Sequence, residues 1–295
     1  MAVSPRLIRR RIKSIANTRK ITRAMELVAA SKMRKSVNMT LASRDYARTA
    51  ADIVESVRTK IDPNSHPLLA GRVKSESIIA VIASSDRGLC GGFNSQVLKK
   101  SHEFLRSRSE KKIRVITVGK RAELSVKRAG YEIMAAFESI SNAPSFERTR
   151  AISDLIYKEF VHGDADRVFM IFTDYRSALS QIPTIAQLLP IIPENEIKLG
   201  VEFEKDPSEE TNIIFEPSPK EILNQLFPRL LETRLYQALL ETSASEHAAR
   251  MMAMRSATSS ASDMLNDLTF TYNQARQAGI TREISEISAG KAAIE

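Results

Sequence analysis

The amino-acid sequence predicts an α/β fold, in which a Rossmann-like three-layer α/β domain is inserted between two long terminal helices that fold back as an antiparallel coiled coil. Three observations predict it. Residues 6–60 contain neither glycine nor proline, the last quarter of the chain carries apolar residues alternating three and four apart, and the middle changes to short β-branched runs between helical stretches. The organisation expected is an N-terminal coiled-coil helix over 1–62, an α/β domain over 75–212 and a C-terminal coiled-coil helix over 213–295.

Ser4-Pro5 opens the first helix, because serine caps free N–H groups and proline is tolerated where no intrahelical donor is needed. Ile8, Ile12 and Ile15 share one face, Ile21, Met25 and Val28 resume it with a small stagger, and Ile53, Val54, Val57 and Ile61 finish it. At ~1.5 Å per residue the helix would run roughly 80 Å before the Asp62-Pro63-Asn64 turn. Ser218-Pro219-Lys220-Glu221 is a capping box that opens the last helix, and Pro228 is expected to kink or restart it. Met251, Met254, Thr258, Ala261, Leu265, Leu268, Tyr272 and Ala275 then form a heptad seam. Isolated helices of this kind are marginal and need a partner; two of similar length around one domain supply each other.

Between them, 78–84, 113–118, 131–137, 167–173 and 184–192 read as strands. Residues 146–162 and the stretches after Phe93 and Gly119 read as helices, which gives a largely parallel sheet covered on its faces. Residues 199–212 are acidic, contain Asp206-Pro207 and read as a surface loop.

Charge is distributed unevenly. Residues 6–35 hold eleven Lys and Arg against the single acid Glu26, a net +10, while the 295-residue chain as a whole is +9. A nucleic-acid arm, a targeting presequence and a helix face passing an acidic-lined partner all fit that stretch. Residues 1–45 lack Phe, Tyr and Trp, so base stacking has no support there. No apolar run is long enough to cross a bilayer, no apolar segment follows the N-terminal arginines as a secretory signal requires, and one cysteine excludes an internal disulfide.

Candidate chemistry is sparse. Ser84–Asn94 is glycine-rich between a strand and a helix, yet matches neither phosphate-loop pattern; a tight turn needing glycine freedom is the simpler reading. Cys90 follows a strand with no histidine near it in sequence, and reads as a packing residue. His66, His102, His162 and His247 show no metal spacing, and Glu209-Glu210 lies in the acidic loop. No catalytic, cofactor-binding or metal-binding set is expected.

Three segments carry a family resemblance. IRRRIKSIANTRKITRAMELVAASKMRK (8–35) and SSDRGLCGGFN (84–94) resemble signatures of ATP synthase gamma subunits. The run from Ser245, SEHAARMMAMRSATSSASDMLNDLTFTYNQARQAGITREISEISAGKAA, is closer still. The resemblance implies a non-catalytic central rotor shaft of bacterial type. Its coiled coil enters a ring of three alpha and three beta subunits, and its α/β domain meets the epsilon subunit and the membrane c-ring. It further implies a peripheral location on the cytoplasmic face of the bacterial inner membrane, without membrane insertion, cofactor or nucleic acid. Lys20, Arg23 and Lys32 are implied to meet acidic loops of the ring, and Met25, Arg276, Gln277 and Thr281 resemble ring-contacting residues. Gly279 stands where the family carries Ala, Ser or Val, and the cysteine-bearing insert of chloroplast gamma subunits is absent. The competing readings are a basic coiled-coil nucleic-acid-binding protein and an enzyme using the glycine-rich loop.

Overall fold

The computed structural model describes residues 5–58, 68, 76–140, 142–191 and 219–292. Asp62-Pro63-Asn64, the acidic loop with Glu209-Glu210, His66, the caps Ser4 and Ser218, and Ile61 lie outside the described residues, as do the side chains of Ile53, Val54 and Val57. By contact the chain divides into two compact units, Met1–Ala29 with Met251–Glu295, and Ala30–Arg250. Two helices take part in both: α1 (Pro5–Arg58) and α5 (Pro219–Ala292).

The larger unit is built on a five-stranded mixed sheet. Its strands are β1 (Ser77–Ala83), β2 (Lys112–Val118), β3 (Glu132–Phe137), β4 (Arg167–Tyr175) and β5 (Gln181–Leu189), in the order β3-β2-β1-β4-β5. The first four are parallel, and β5 returns antiparallel to β4 with Val168 opposite Leu189 and Tyr175 opposite Gln181. β1 reads SIIAVIA with almost no polar break because both sheet faces are covered. Ile78, Ala80 and Ile82 pack with Val97, Phe104 and Leu105 of α2 (Phe93–Arg106) and with Ala122 and Val126 of α3 (Lys120–Arg128). Ile79, Val81 and Ala83 face Ile152, Ile156 and Phe160 of α4 (Phe146–His162), and Phe227, Leu230, Leu231, Leu235 and Leu239 of α5. Strand alternation thus sends successive residues of β1 into two separate cores.

Helix limits follow local chemistry. Ser145 Oγ accepts from the Arg148 N–H at the start of α4, and Gly163 ends it in the left-handed conformation, φ 94°. The strand and helix predictions hold in number and order, but β5 runs Gln181–Leu189 where the sequence predicts 184–192: Pro190 and Ile191 are not part of the strand, and residue 192 lies outside the described residues. The expected restart at Pro228 does not occur, since α5 is continuous through it. Proline in a helix interior costs about 3 kcal/mol, and Phe227, Leu230 and Leu231, all fully buried around it, offset that cost.

Within α5, residues 230–248 are buried on every side except at Tyr236. Apolar residues alone do not fill that stretch. Several of its hydroxyls close on backbone carbonyls: Thr233 donates to the Arg229 carbonyl (2.8 Å), Thr242 to the Ala238 carbonyl (2.8 Å) and Ser245 to the Thr173 carbonyl on β4 (3.3 Å). Ser243 Oγ lies 3.1 Å from Ser36 Oγ of α1.

In the smaller unit Ile8, Thr22, Glu26 and Ala29 of α1 and Met254 and Ala261 of α5 are buried. All eight predicted seam residues of α5, from Met251 to Ala275, are buried or half-buried. The Thr22 and Thr258 hydroxyls are hydrogen-bonded at 2.8 Å. The α1 face departs from the expectation: Ile21 and Val28 are 60% and 57% exposed. Stepping alternately four and three from Ile8 and Ile15 leads to 22, 26 and 29, so Thr22, Glu26 and Ala29 take the inward places and the two aliphatic residues sit one position back.

Candidate functional site

The predicted contact residues are distributed over both units. Lys20 and Arg23 are exposed on α1, Met25 is half-buried, and Arg276, Gln277 and Thr281 are exposed on α5; all belong to the smaller unit. Arg23 pairs with the buried Glu26 carboxylate at 2.8 Å, and the Thr281 hydroxyl donates to the Gln277 carbonyl at 3.0 Å. Lys32 belongs to the larger unit, exposed, with its ammonium 2.9 Å from Asn142 Oδ1.

The Ser84–Asn94 turn sits at the carboxyl end of β1 and is held by its own side chains. Ser85 Oγ donates to the Arg87 carbonyl (2.6 Å) and accepts from Asn94 Nδ2 (2.8 Å), while the Ser85 N–H donates to Asn94 Oδ1 (3.1 Å). Ser84 Oγ accepts from the Ala122 N–H in the first turn of α3 (2.7 Å). Gly119 passes so close that a Cβ there would lie 2.3 Å from the Ser84 carbonyl oxygen, and its φ is +93°. The Asp86 carboxylate accepts from the Lys120 N–H (3.2 Å) and the Ser139 N–H (3.1 Å), joining the turn to α3 and to the segment after β3. The turn is a packed joint. Its exposed residues are Arg87, Leu89 at φ 63°, and the two glycines Gly91 and Gly92.

Cys90 is buried there, its sulfur taking the Asn94 amide at 3.1 Å. Its other contacts, at 3.9 Å, are the Ser85 hydroxyl and the Arg87 carbonyl, and neither is a base of the kind that activates a nucleophilic thiol. Among the described residues no group of histidine, cysteine and carboxylate side chains has metal-site geometry. No helix among them is long and apolar enough to cross a membrane.

A polar cluster escaped the sequence reading. Arg250 of α5 donates to Glu246 Oε1 (2.8 Å) and to the Gly88 carbonyl (3.3 Å), and its Nη1 lies 3.3 Å from His247 Nδ1. His247 Nε2 is 3.5 Å from the Asn142 carbonyl, on the same residue that holds Lys32. Burial raises the Glu246 carboxyl above its ordinary value, opposed by the Arg250 charge. Burial, then the same guanidinium, pushes the His247 imidazole down to about 4, so it is neutral at physiological pH. One cluster thereby ties α5, α1, the glycine-rich turn and the segment after β3. Its only signal in sequence is a Glu, His and Arg at four-residue reach on a helix otherwise lined for burial.

These features define a two-helix protein with an α/β domain and a tightly closed strand-to-helix turn where open sheets of this kind often bind ligands. The sequence model described as ATP synthase matches residues 4–294. The chain is 38% identical over 292 residues to the ATP synthase gamma chain of Pelotomaculum thermopropionicum, covering 99% of both, and 36% identical over 293 residues to that of Chlorobaculum tepidum, covering 98% of both. The chain belongs to the ATP synthase gamma chain family. Among solved structures it resembles a chain of the Tetrahymena thermophila mitochondrial ATP synthase central stalk and c-ring, with TM-score 0.59 and 26% identity over 80% of this chain and 99% of that one. A chain of the Euglena gracilis mitochondrial ATP synthase shares the fold, with TM-score 0.67, 21% identity and coverage of 98% and 94%. None of these relatives supports the nucleic-acid reading.

Proposed function

We propose that the chain is the central rotor shaft of a proton-translocating F-type ATP synthase. It passes rotation of the membrane c-ring to three beta subunits, driving ATP synthesis from ADP and phosphate and regulating ATPase activity and proton flow. In this reading it has no active site of its own, and nucleotide chemistry belongs to beta. It works inside three alpha and three beta subunits, against the epsilon subunit, peripherally on the cytoplasmic face of a bacterial inner membrane. Its working parts are the helix 1–62, a Rossmann-like domain over 75–212 and the helix 213–295.

The observation that carries the reading, beside family membership, is the surface of α5 in the smaller unit. Met264, Phe270, Ile280, Ile284 and Ile287 are exposed, Phe270 at 71%, the first two alongside the seam and the last three beyond its end at Ala275. Apolar side chains in such number call for cover from other chains. Hydroxyl contacts between α1 and α5 inside each unit, Thr22 with Thr258 in the smaller and Ser36 with Ser243 in the larger, support the pairing of the two helices that an antiparallel coiled coil requires. Lys20, Arg23, Met25, Lys32, Arg276, Gln277 and Thr281 are its proposed contacts. Basic groups attract acidic loops over a distance of about 8–10 Å without a deep apolar anchor that would trap one angle.

Reconstitution tests it. Alpha and beta subunits mixed with this chain should gain ATPase turnover and co-purify with it. Equal turnover with and without the chain would refute the rotor reading.

A further inference from the structure

Between α2 and α3 lies an open groove of about 390 Å³, within the range of small-ligand sites. Three guanidinium groups border it, Arg106 from α2 and Arg121 and Arg128 from α3. Leu98 and Leu124 supply an apolar wall, and His102 Nε2, 2.8 Å from Ser125 Oγ, fastens the two helices beneath. No carboxylate is among the residues that line it. Among the described residues, none of the three arginines has an ion-pair partner.

The surroundings reinforce the charge. Residues 99–128 contain eleven Lys and Arg and three acids, Glu103, Glu110 and Glu123, a net +8. Arg114, paired with Glu159 of α4, and Lys120, paired with Glu138, are turned to other partners, and the remaining nine bases still outnumber the three acids. A concave basic surface raises the local concentration of anions. A single carboxylate would neutralise one guanidinium and leave two uncompensated. A di- or triphosphate, with three or four negative charges and oxygens suited to the guanidinium fork, matches all three.

We infer that the α2–α3 groove binds a polyphosphate ligand, inorganic or as a nucleoside di- or triphosphate, through Arg106, Arg121 and Arg128. The inference does not depend on the rotor reading, and its test uses this chain alone.

Calorimetric titration of the full chain with tripolyphosphate and, separately, with ATP should each show saturable one-to-one binding. The double substitution Arg121→Gln/Arg128→Gln should weaken it at least about tenfold, as loss of charge-assisted hydrogen bonds does. Ala129→Phe, which fills the groove without changing charge, should also weaken it. Arg9→Gln/Arg10→Gln, the same loss of charge on α1, should leave it within about twofold. ATP binding more tightly than tripolyphosphate places a nucleoside against Leu98 and Leu124; equal affinity assigns the groove to the phosphate chain alone, and both support the site. Absence of saturable binding, an equal loss in the α1 variant, or unaltered binding by Ala129→Phe overturns it. If the double variant fails to fold, Ala129→Phe and Arg106→Gln decide.

Discussion

Gly119 and His247 show how single residues hold the larger unit. Gly119 combines a left-handed φ with an approach to Ser84 that leaves no space for a side chain. Gly119→Ala should cost about 2–3 kcal/mol or more, read as a lower urea midpoint, because strain and steric overlap act together. His247 has its folded pKa depressed from 6.5 to about 4. Its contribution to stability is therefore complete above pH 6.5 and lost as pH falls towards 4, by as much as about 3 kcal/mol. Glu246, with its carboxyl raised, acts in the other direction, contributing at low pH and losing that contribution as pH rises. Denaturation of the wild type and His247→Gln between pH 7 and pH 4 isolates the histidine: the variant should show the shallower acid loss.

At the scale of elements, core burial sets the largest effects. Phe160→Ala removes a fully buried ring between α4 and the sheet and should cost about 3–5 kcal/mol in equilibrium denaturation. Gly279 is the opposite case. A Cβ there meets nothing within 4 Å, so Gly279→Ala should stabilise α5 locally by about 1 kcal/mol, slowing amide exchange over 270–290 roughly fivefold. The strands were legible because a sheet covered on both faces demands continuous β-branched runs such as SIIAVIA. The α5 seam was legible because its period is regular. The α1 face was not, because Thr22, Glu26 and Ala29 take the inward places that hydrophobicity would give to Ile21 and Val28. The Glu246–His247–Arg250 cluster was equally hidden, since its partners Gly88 and Asn142 are brought to it by folding. The basic α2–α3 surface was masked by summing charge over acidic stretches elsewhere.

For the whole molecule, the proposed rotor role makes an electrostatic prediction. Lys20→Gln/Arg23→Gln/Lys32→Gln should slow association with the alpha–beta ring several-fold at low salt, with the difference shrinking as salt rises, measured by stopped-flow or surface binding. Unchanged rates would remove those three residues from the contact. The burial of Phe227, Leu230, Leu231, Leu235 and Leu239 against the sheet also has a consequence for synthesis. While a ribosome has released only the first two hundred or so residues, every strand among the described residues is present, but one sheet face has α4 alone and lacks the stretch of α5 that completes its apolar cover. Nascent chains must then wait, shielded by chaperones, until the final quarter emerges, and a premature stop codon before residue 227 would leave a sticky fragment in place of a shortened working protein.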